Sequence, residues 1–326
     1  MALNLLPLFN STFKKYLRKG FVDNVSQRVP LFNWMRKSKC LKPWDGSGKY
    51  IVEEVMTDLP NTMQALAAYE QLNFKPVEGV QLVQFNIKEL VVTITISDRE
   101  VKANSSKEKA IDLIETKMKQ AELLFAEAID EMLYSDGTAQ SGKVMLGLGA
   151  LIPDVNTSGS LGGFARSTNV WLRCPSSTGA KTTTAFDNLM AKLRNLKNTC
   201  SRGAIKPTIY ITDQTVYEGY ETLSYGKLAP TTKGEAKDLG FDGDLTFAGK
   251  PFVFAEQITA GDLFALNPES LKLRVEGLKK SSGSPFQIDG PYDLKPHQLA
   301  TVWIIKMCGA LTANYFRQMG KLHSIT

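Results

Sequence analysis

The feature that most constrains this chain is an unbroken helical periodicity between residues 107 and 134. Apolar side chains recur at 110, 111, 114, 118, 121, 125, 128, 129 and 132, three or four residues apart, which places them along one stripe of an α-helix. Ser105 with Glu108 has the pattern of a capping box at its start, and Ser135-Asp136-Gly137 supplies a glycine turn at its end. A span from 107 to 134 at helical rise makes a rod of about 42 Å, longer than an ordinary globular helix. The rest of the fold must lay other elements across that stripe. The opposite face, with Lys109, Asp112, Lys117, Lys119, Glu122, Glu127, Asp130 and Glu131, reads as solvated or subunit-contacting.

Upstream lies a two-part β pattern. Residues 49–56 run outward and residues 80–96 return through Phe85, Ile87, Leu90, Val92, Ile94 and Ile96, with the apolar parity changing at Lys88-Glu89. One extra residue there predicts a β-bulge within a continuous long hairpin, each arm extending about 50 Å. Two strands alone are marginal in water, so either another part of the same chain or a neighbouring subunit covers them.

Downstream, residues 137–181 are rich in Gly, Ser and Thr and read as a crossover. The spacing then predicts an amphipathic helix over 184–197, a strand over 208–212 and a short helix from Asp213, the beginning of an α+β unit. Residues 224–244 read as a polar surface loop. Residues 245–247 and 251–254 flank an Ala-Gly-Lys turn, strands follow over 263–266 and 271–275, and a long apolar strand runs from Leu299 to Leu311.

Charge is concentrated at the front. Residues 1–45 hold nine basic residues, among them Lys14, Lys15, Arg18, Lys19 and Arg28, against two acidic ones, a local charge of +7 in a chain whose total is +6. An arm of this kind favours a polyanion such as nucleic acid, or else is a solvated face. Its apolar clusters (Leu5, Leu6, Leu8, Phe9; Val29, Leu31, Phe32, Trp34, Met35) must be buried against the body or another subunit. Pro7 interrupts the first of them and no basic residue precedes it, which argues against a signal peptide, and no segment has the apolar length of a membrane span.

Chemical motifs are scarce. Gly46-Ser47-Gly48-Lys49 lacks the phosphate-loop spacing, with Pro43 and Tyr50 where Gly and Ser or Thr are required. The two histidines, His297 and His323, fall in no metal or triad pattern, and Glu53-Glu54 point to opposite faces of a strand. The four cysteines are widely spaced, without a CxxC pair, and read as reduced and buried. No catalytic, cofactor-binding or metal residue emerges, and no enzyme activity is expected.

The order of arm, long hairpin, long helix, glycine-rich crossover, α+β unit and final strand resembles that of tailed-phage major capsid proteins with the Hong Kong 97-type fold. Local agreement includes Met132-Leu133-Tyr134-Ser135-Asp136-Gly137, Gly147-Leu148 with Leu151-Ile152, Arg166-Ser167-Thr168 with Trp171, Leu263-Phe264-Ala265-Leu266-Asn267, Leu271-Lys272-Leu273-Arg274 and Gly309-Ala310-Leu311-Thr312. The resemblance implies an α+β capsid fold. Its parts would be an N-terminal arm (1–45), an extended loop (46–97), a peripheral domain (98–182) with a spine helix (105–134), an axial domain (183–298), and a C-terminal strand (299–326) returning to the peripheral domain. It also implies self-assembly as pentamers and hexamers into a virion shell around double-stranded DNA, built in a bacterial cytoplasm with a separate scaffolding protein and a portal, and no membrane partner. Lys14, Lys15, Arg18, Lys19 and Arg28 are then candidate genome-facing or inter-subunit residues, and Tyr50, Val52, Phe85 and Ile87 candidate inter-subunit residues of the loop. An encapsulin-like compartment and a basic nucleic-acid-binding protein are the alternatives.

Overall fold

A 14-residue strand near the C-terminus organises the chain. The computed structural model describes residues 24–25, 27–44, 48–57, 65, 67–71, 79–103, 107–176, 186–203, 205–225, 245–279, 285–293 and 299–325. In chain order these form α1 (Pro30–Lys37), β1 (Leu41–Pro43), β2 (Tyr50–Met56), β3 (Val80–Asn86), β4 (Lys88–Ser97), α2 (Asp98–Ala103), α3 (Lys107–Tyr134), the small hairpin β5 (Ser160–Leu161) and β6 (Phe164–Ala165), α4 (Phe186–Cys200), β7 (Ile209–Thr212), α5 (Gln214–Tyr225), β8 (Thr246–Phe247), β9 (Lys250–Phe254), β10 (Leu263–Leu266), β11 (Leu271–Val275), β12 (Gln287–Asp293), β13 (Ala300–Ala313) and β14 (Gly320–Leu322), with a few single turns between them.

The first sheet gathers on β13. Residues 300–309 pair antiparallel with β4, while residues 301–306 pair with β12 and 309–313 with β11, whose far edge takes β1 in parallel. Gly309 is opposite both Lys88 and Val275, so β4 occupies one edge of β13 and β11 the other. A side chain at Gly309 would put its Cβ 2.2 Å from the Arg274 carbonyl oxygen, so glycine is required for β11 to approach.

This pairing corrects the predicted long hairpin. The return segment is broken at Ile87: β3 pairs rung for rung with β2, from Tyr50↔Asn86 to Met56↔Val80, whereas β4 leaves for β13. The parity change marks a strand changing partner, not a bulge. Val83 and Phe85 are buried on one side of the break and Val92, Ile94 and Ile96 on the other, because each half faces a different sheet. The ribbon that remains has seven rungs, about 23 Å at strand rise, shorter than predicted. Residues 58–64 and 72–78, within the predicted projecting loop, lie outside the described residues.

The helix predicted over 107–134 spans Lys107–Tyr134, and it packs across β4. Met118, Ala121, Phe125, Ile129 and Met132 of its apolar stripe are buried, and so are Ala126, Asp130, Leu133 and Tyr134, because its last turns are enclosed on a second side as well. Gly137 ends it with φ +82°. The Ser105–Glu108 cap lies outside the described residues, but a capping box is present one element earlier. The Ser97 Oγ accepts the Glu100 N–H at 3.2 Å, the Glu100 carboxylate accepts the Ser97 N–H at 2.9 Å, and Lys117 of α3 reaches Glu100 at 3.4 Å.

The second half of the predicted arm belongs to the body. Pro30 to Met35 of α1 are buried, Phe32 stacks on Phe286 at 6.0 Å, and Phe125 meets the same ring edge-on at 5.1 Å, so α1 is clamped to α3. The apolar cluster at Leu5 to Phe9 lies outside the described residues.

The second sheet has the order β14-β10-β7-β9-β8. Its strands read as apolar runs because both faces are covered: Ile209, Ile211, Val253, Phe264 and Leu266 join the main core, while Tyr210, Phe252, Leu263, Ala265 and Leu322 pack with Leu189, Leu193, Val216 and Tyr220 of α4 and α5. The predicted helices over 184–197 and from Asp213 are α4 and α5; the loop over 224–244 lies almost entirely outside the described residues. Two boundaries move. β11 and β12, counted with residues 183–298 in the sequence, hydrogen-bond into the first sheet, and β14, counted with the final strand, crosses back into the second.

Replacing Gly309 with valine should force β11 away from β13 and cost at least about 1–3 kcal/mol, the usual range for overpacking. Urea denaturation should show this as a lower midpoint, whereas an unchanged midpoint would mean that the two strands approach less closely.

Candidate assembly surface

The ribbon of β2 and β3 alternates sharply. Ile51, Glu53, Val55, Val83 and Phe85 are buried on one face, while Tyr50, Val52, Glu54, Met56, Val80, Leu82, Gln84 and Asn86 are exposed on the other. The inner face lies against β13. At its centre is a charge: Glu53, 5 % exposed, accepts hydrogen bonds from Arg274 Nε and from Thr312 Oγ1 at 2.9 Å, with Lys272 Nζ 3.9 Å away. Lys272 and Arg274 project from β11 and Thr312 from β13, so a single carboxylate fastens the ribbon to two strands of the first sheet. Both cations remain about a quarter exposed, which keeps their desolvation cost small while one carboxylate oxygen takes two hydrogen bonds and the other faces Lys272.

Five of the eight outer-face side chains are apolar and are left uncovered by the described residues. Tyr50, Val52, Met56, Val80 and Leu82 are 37, 45, 55, 52 and 54 % exposed. Met56 and Val80 are directly opposed, and Leu82 is diagonal to Val52, so these side chains form one surface instead of scattered contacts. The surface continues past Tyr50 into a cleft of about 430 Å³ between the ribbon and the β5–β6 hairpin, lined also by Gln84, Asn86, Asp136, Leu161 and Arg166. Arg166 is a structural member of that wall, its guanidinium donating to the carbonyls of Ala150, Leu151 and Leu172 at 2.8–3.0 Å.

The candidate residues fall into three groups. Tyr50 and Val52 lie on the exposed face. Phe85 is fully buried in its own subunit's core and Ile87, at the strand break, is half-buried, so these two offer a neighbour little or nothing, because their parity places them on the inner side. Arg28 is exposed just before α1, and Lys14, Lys15, Arg18 and Lys19 lie outside the described residues. Met56, Val80 and Leu82 were missed as surface residues, although strict alternation with Ile51, Val55 and Val83 was a usable signal.

A second buried ion cluster closes the tail. Lys321 of β14 is 2.6 Å from Asp262 and 2.5 Å from Asp154, and lies 5.2 Å from the Phe264 ring centroid. Burial pushes the Asp262 carboxyl up and Lys321 pulls it back. The cluster joins the crossover, the segment before β10, and the tail.

Reactive chemistry is not assembled around these features. Burial pushes the thiols of Cys174 and Cys200 up to about 12 and those of Cys40 and Cys308 to about 11, which keeps them protonated and poorly nucleophilic at neutral pH. His323 is buried beside Ser324, and His297 lies outside the described residues. Among the described residues there is no cluster of three metal-ligating side chains and no helix long and apolar enough to cross a membrane.

Replacing Glu53 with leucine should detach the ribbon's inner face from the sheet and cost about 1–3 kcal/mol locally. Hydrogen exchange should quicken in peptides covering 50–56 and 80–86 while the α3–β4 core stays protected; equal loosening of both would mean that Glu53 supports the whole core.

No protein-family model and no curated protein matches this sequence. Solved structures do. A subunit of the cyanophage A-1(L) capsid superposes with a TM-score of 0.64 at 14 % identity, covering 89 % of this chain and 92 % of that one. The capsid of a native GTA particle gives 0.56 at 12 % identity, covering 90 % of each chain. The SrpI encapsulin of Synechococcus elongatus PCC 7942 gives 0.53 at 9 % identity, covering 89 % of this chain and 87 % of that one. With nearly the whole length aligned in each case, this chain has the α+β Hong Kong 97-type fold.

Proposed function

We propose that the protein is the major capsid subunit of a tailed phage, assembling as pentamers and hexamers into a shell around double-stranded DNA. The observation that carries this reading is the outer ribbon face. Five apolar side chains stand uncovered on a two-stranded element that is rigidly fastened on its other side. Covering each by a neighbouring copy would contribute about 0.5–1.5 kcal/mol, since each is already half covered. Such a contact is modest alone and cumulative when repeated around a closed symmetric particle. The cleft beside Tyr50 gives the neighbour a recess as well as a flat surface.

The +7 charge of residues 1–45 favours DNA as the content, with Lys14, Lys15, Arg18, Lys19 and Arg28 as the residues that meet either the genome or the next subunit. Scaffolding and portal proteins are the further partners of this reading, and the virion is the location. The likeness to the SrpI encapsulin supports a second reading, a shell of the same geometry around protein cargo. The content of purified particles separates the two.

The double substitution Val52→Asp and Leu82→Asp should leave the subunit folded, because both side chains are exposed, and should abolish shells. Circular dichroism would report unchanged melting, while sedimentation and electron microscopy would report capsomers or smaller species in place of particles. Normal shells from this variant, or only small species from the wild-type chain under every assembly condition with and without a co-expressed scaffold, would overturn the proposal.

A further inference from the structure

The last turns of α3 hold a group that neither the ribbon nor the core explains. Asp130 is 6 % exposed, and its Oδ1 has no hydrogen-bond partner among the described residues. It faces the segment leading into β10, where Glu256 presents a second negative charge and the Gln257 backbone N–H donates to the carboxyl. One turn along, the Tyr134 hydroxyl is also buried without a partner among the described residues, and its ring is 6.3 Å from Phe264 of β10. The helix supplies no compensation. Its last turn contains no basic residue, and Asp130 lies close to the negative end of the helix dipole. Lys321, which lies over the opposite partner of Tyr134, the Phe264 ring, is already engaged by Asp262 and Asp154. Glu127 and Glu131, on the same helix, point to its exposed side.

Three independent features thus disfavour a negative charge at this position: burial, a neighbouring carboxylate and the end of a helix. A neutral carboxyl removes the repulsion from Glu256 and gains an O–H that can be donated. We propose that Asp130 is a proton-operated latch at the joint between α3 and the second sheet, closing the joint when protonated and loosening it when ionised.

Burial, reinforced by Glu256 and opposed by the Gln257 N–H, pushes the Asp130 carboxyl up to about 7. A carboxyl raised in the folded state takes up a proton on folding. Its contribution is therefore complete below the ordinary carboxylate range near 4, declines as pH rises, and is lost above about 7. The latch accordingly weakens across the acidic range and is fully released once the pH has passed neutrality.

Hydrogen exchange on the full-length protein, corrected for intrinsic rates and compared at pH 6 and 8.5, tests this. Peptides covering 125–134 and 255–266 should lose about tenfold in protection at the higher pH, a change of about 1.4 kcal/mol in the joint. Asp130→Asn should keep them protected at both values, and Glu256→Gln should move the midpoint to lower pH. A carboxyl carbon resonance of Asp130 titrating near 4, or an Asp130→Asn variant with the wild-type pH profile, would overturn the latch. Should Asp130→Asn fail to fold, the Glu256→Gln midpoint and the direct titration still decide. Both readouts concern a joint within one subunit, so failure of the latch and failure of shell assembly are distinguishable.

Discussion

The structure depends on how β13 satisfies its backbone. A long strand in a protein interior must have its N–H and C=O groups paired along both edges. β13 does so over most of its length, with β4 along residues 300–309 on one edge and with β12 (301–306) and β11 (309–313) in succession on the other. That requirement takes β4 away from the strand it follows. What remains of the hairpin, β2 with β3, is too small to be stable alone, and the body must hold it from one side. Glu53, set among Ile51, Val55, Val83 and Phe85, provides that hold, and the same alternation places five apolar residues on the opposite face. The exposed surface is therefore a consequence of the pairing, not an independent feature.

Buried charges mark the places where distant segments meet. Glu53 joins the ribbon to β11 and β13, Lys321 joins the tail to residues 154 and 262, and Asp130 sits where α3 meets the second sheet. Hydrophobic packing could supply equal or greater stability at each position, but it is tolerant of sliding, whereas a buried ion pair fails if its partner is displaced. The first two clusters are satisfied and fix a geometry. Asp130 is not, which makes its joint the one whose strength depends on solution conditions.

Periodic elements were legible in the sequence, and partnerships were not. The stripe from 110 to 132 gave α3 to the residue, and apolar runs gave β7, β10, β11 and β13, because burial on a fixed face imposes a period that any reader can count. The return segment shows the limit. Its parity change was visible, but a bulge and a change of partner produce the same local pattern, and only the position of β13, some 200 residues later, distinguishes them. β12 and β14 were missed for a related reason: one is interrupted by Gly290-Pro291 and the other is three residues long, so neither shows a period. The exposed face of the ribbon was legible only in part. Tyr50 and Val52 lie on the outer face, whereas the parity of Phe85 with Val83 places it inside. Glu53 could have been found as the single charge on a predominantly apolar face.

Under the proposed shell function, a subunit that must stop growing at a closed particle cannot carry an open, fully apolar sheet edge, since such an edge pairs with any chain it meets. Here most of the long strand has both edges paired, and the apolar surface offered outward is a face of the ribbon. Contact through a face requires complementary side chains on the partner, so it discriminates among surfaces where backbone pairing would not. It is also weak enough, half-covered side chain by half-covered side chain, for a wrongly placed neighbour to leave before its other contacts form. On the proposed reading, closure follows from many such contacts being made at once, and the strength of each is limited by the same rung-by-rung alternation that hides the other half of the ribbon in its own core.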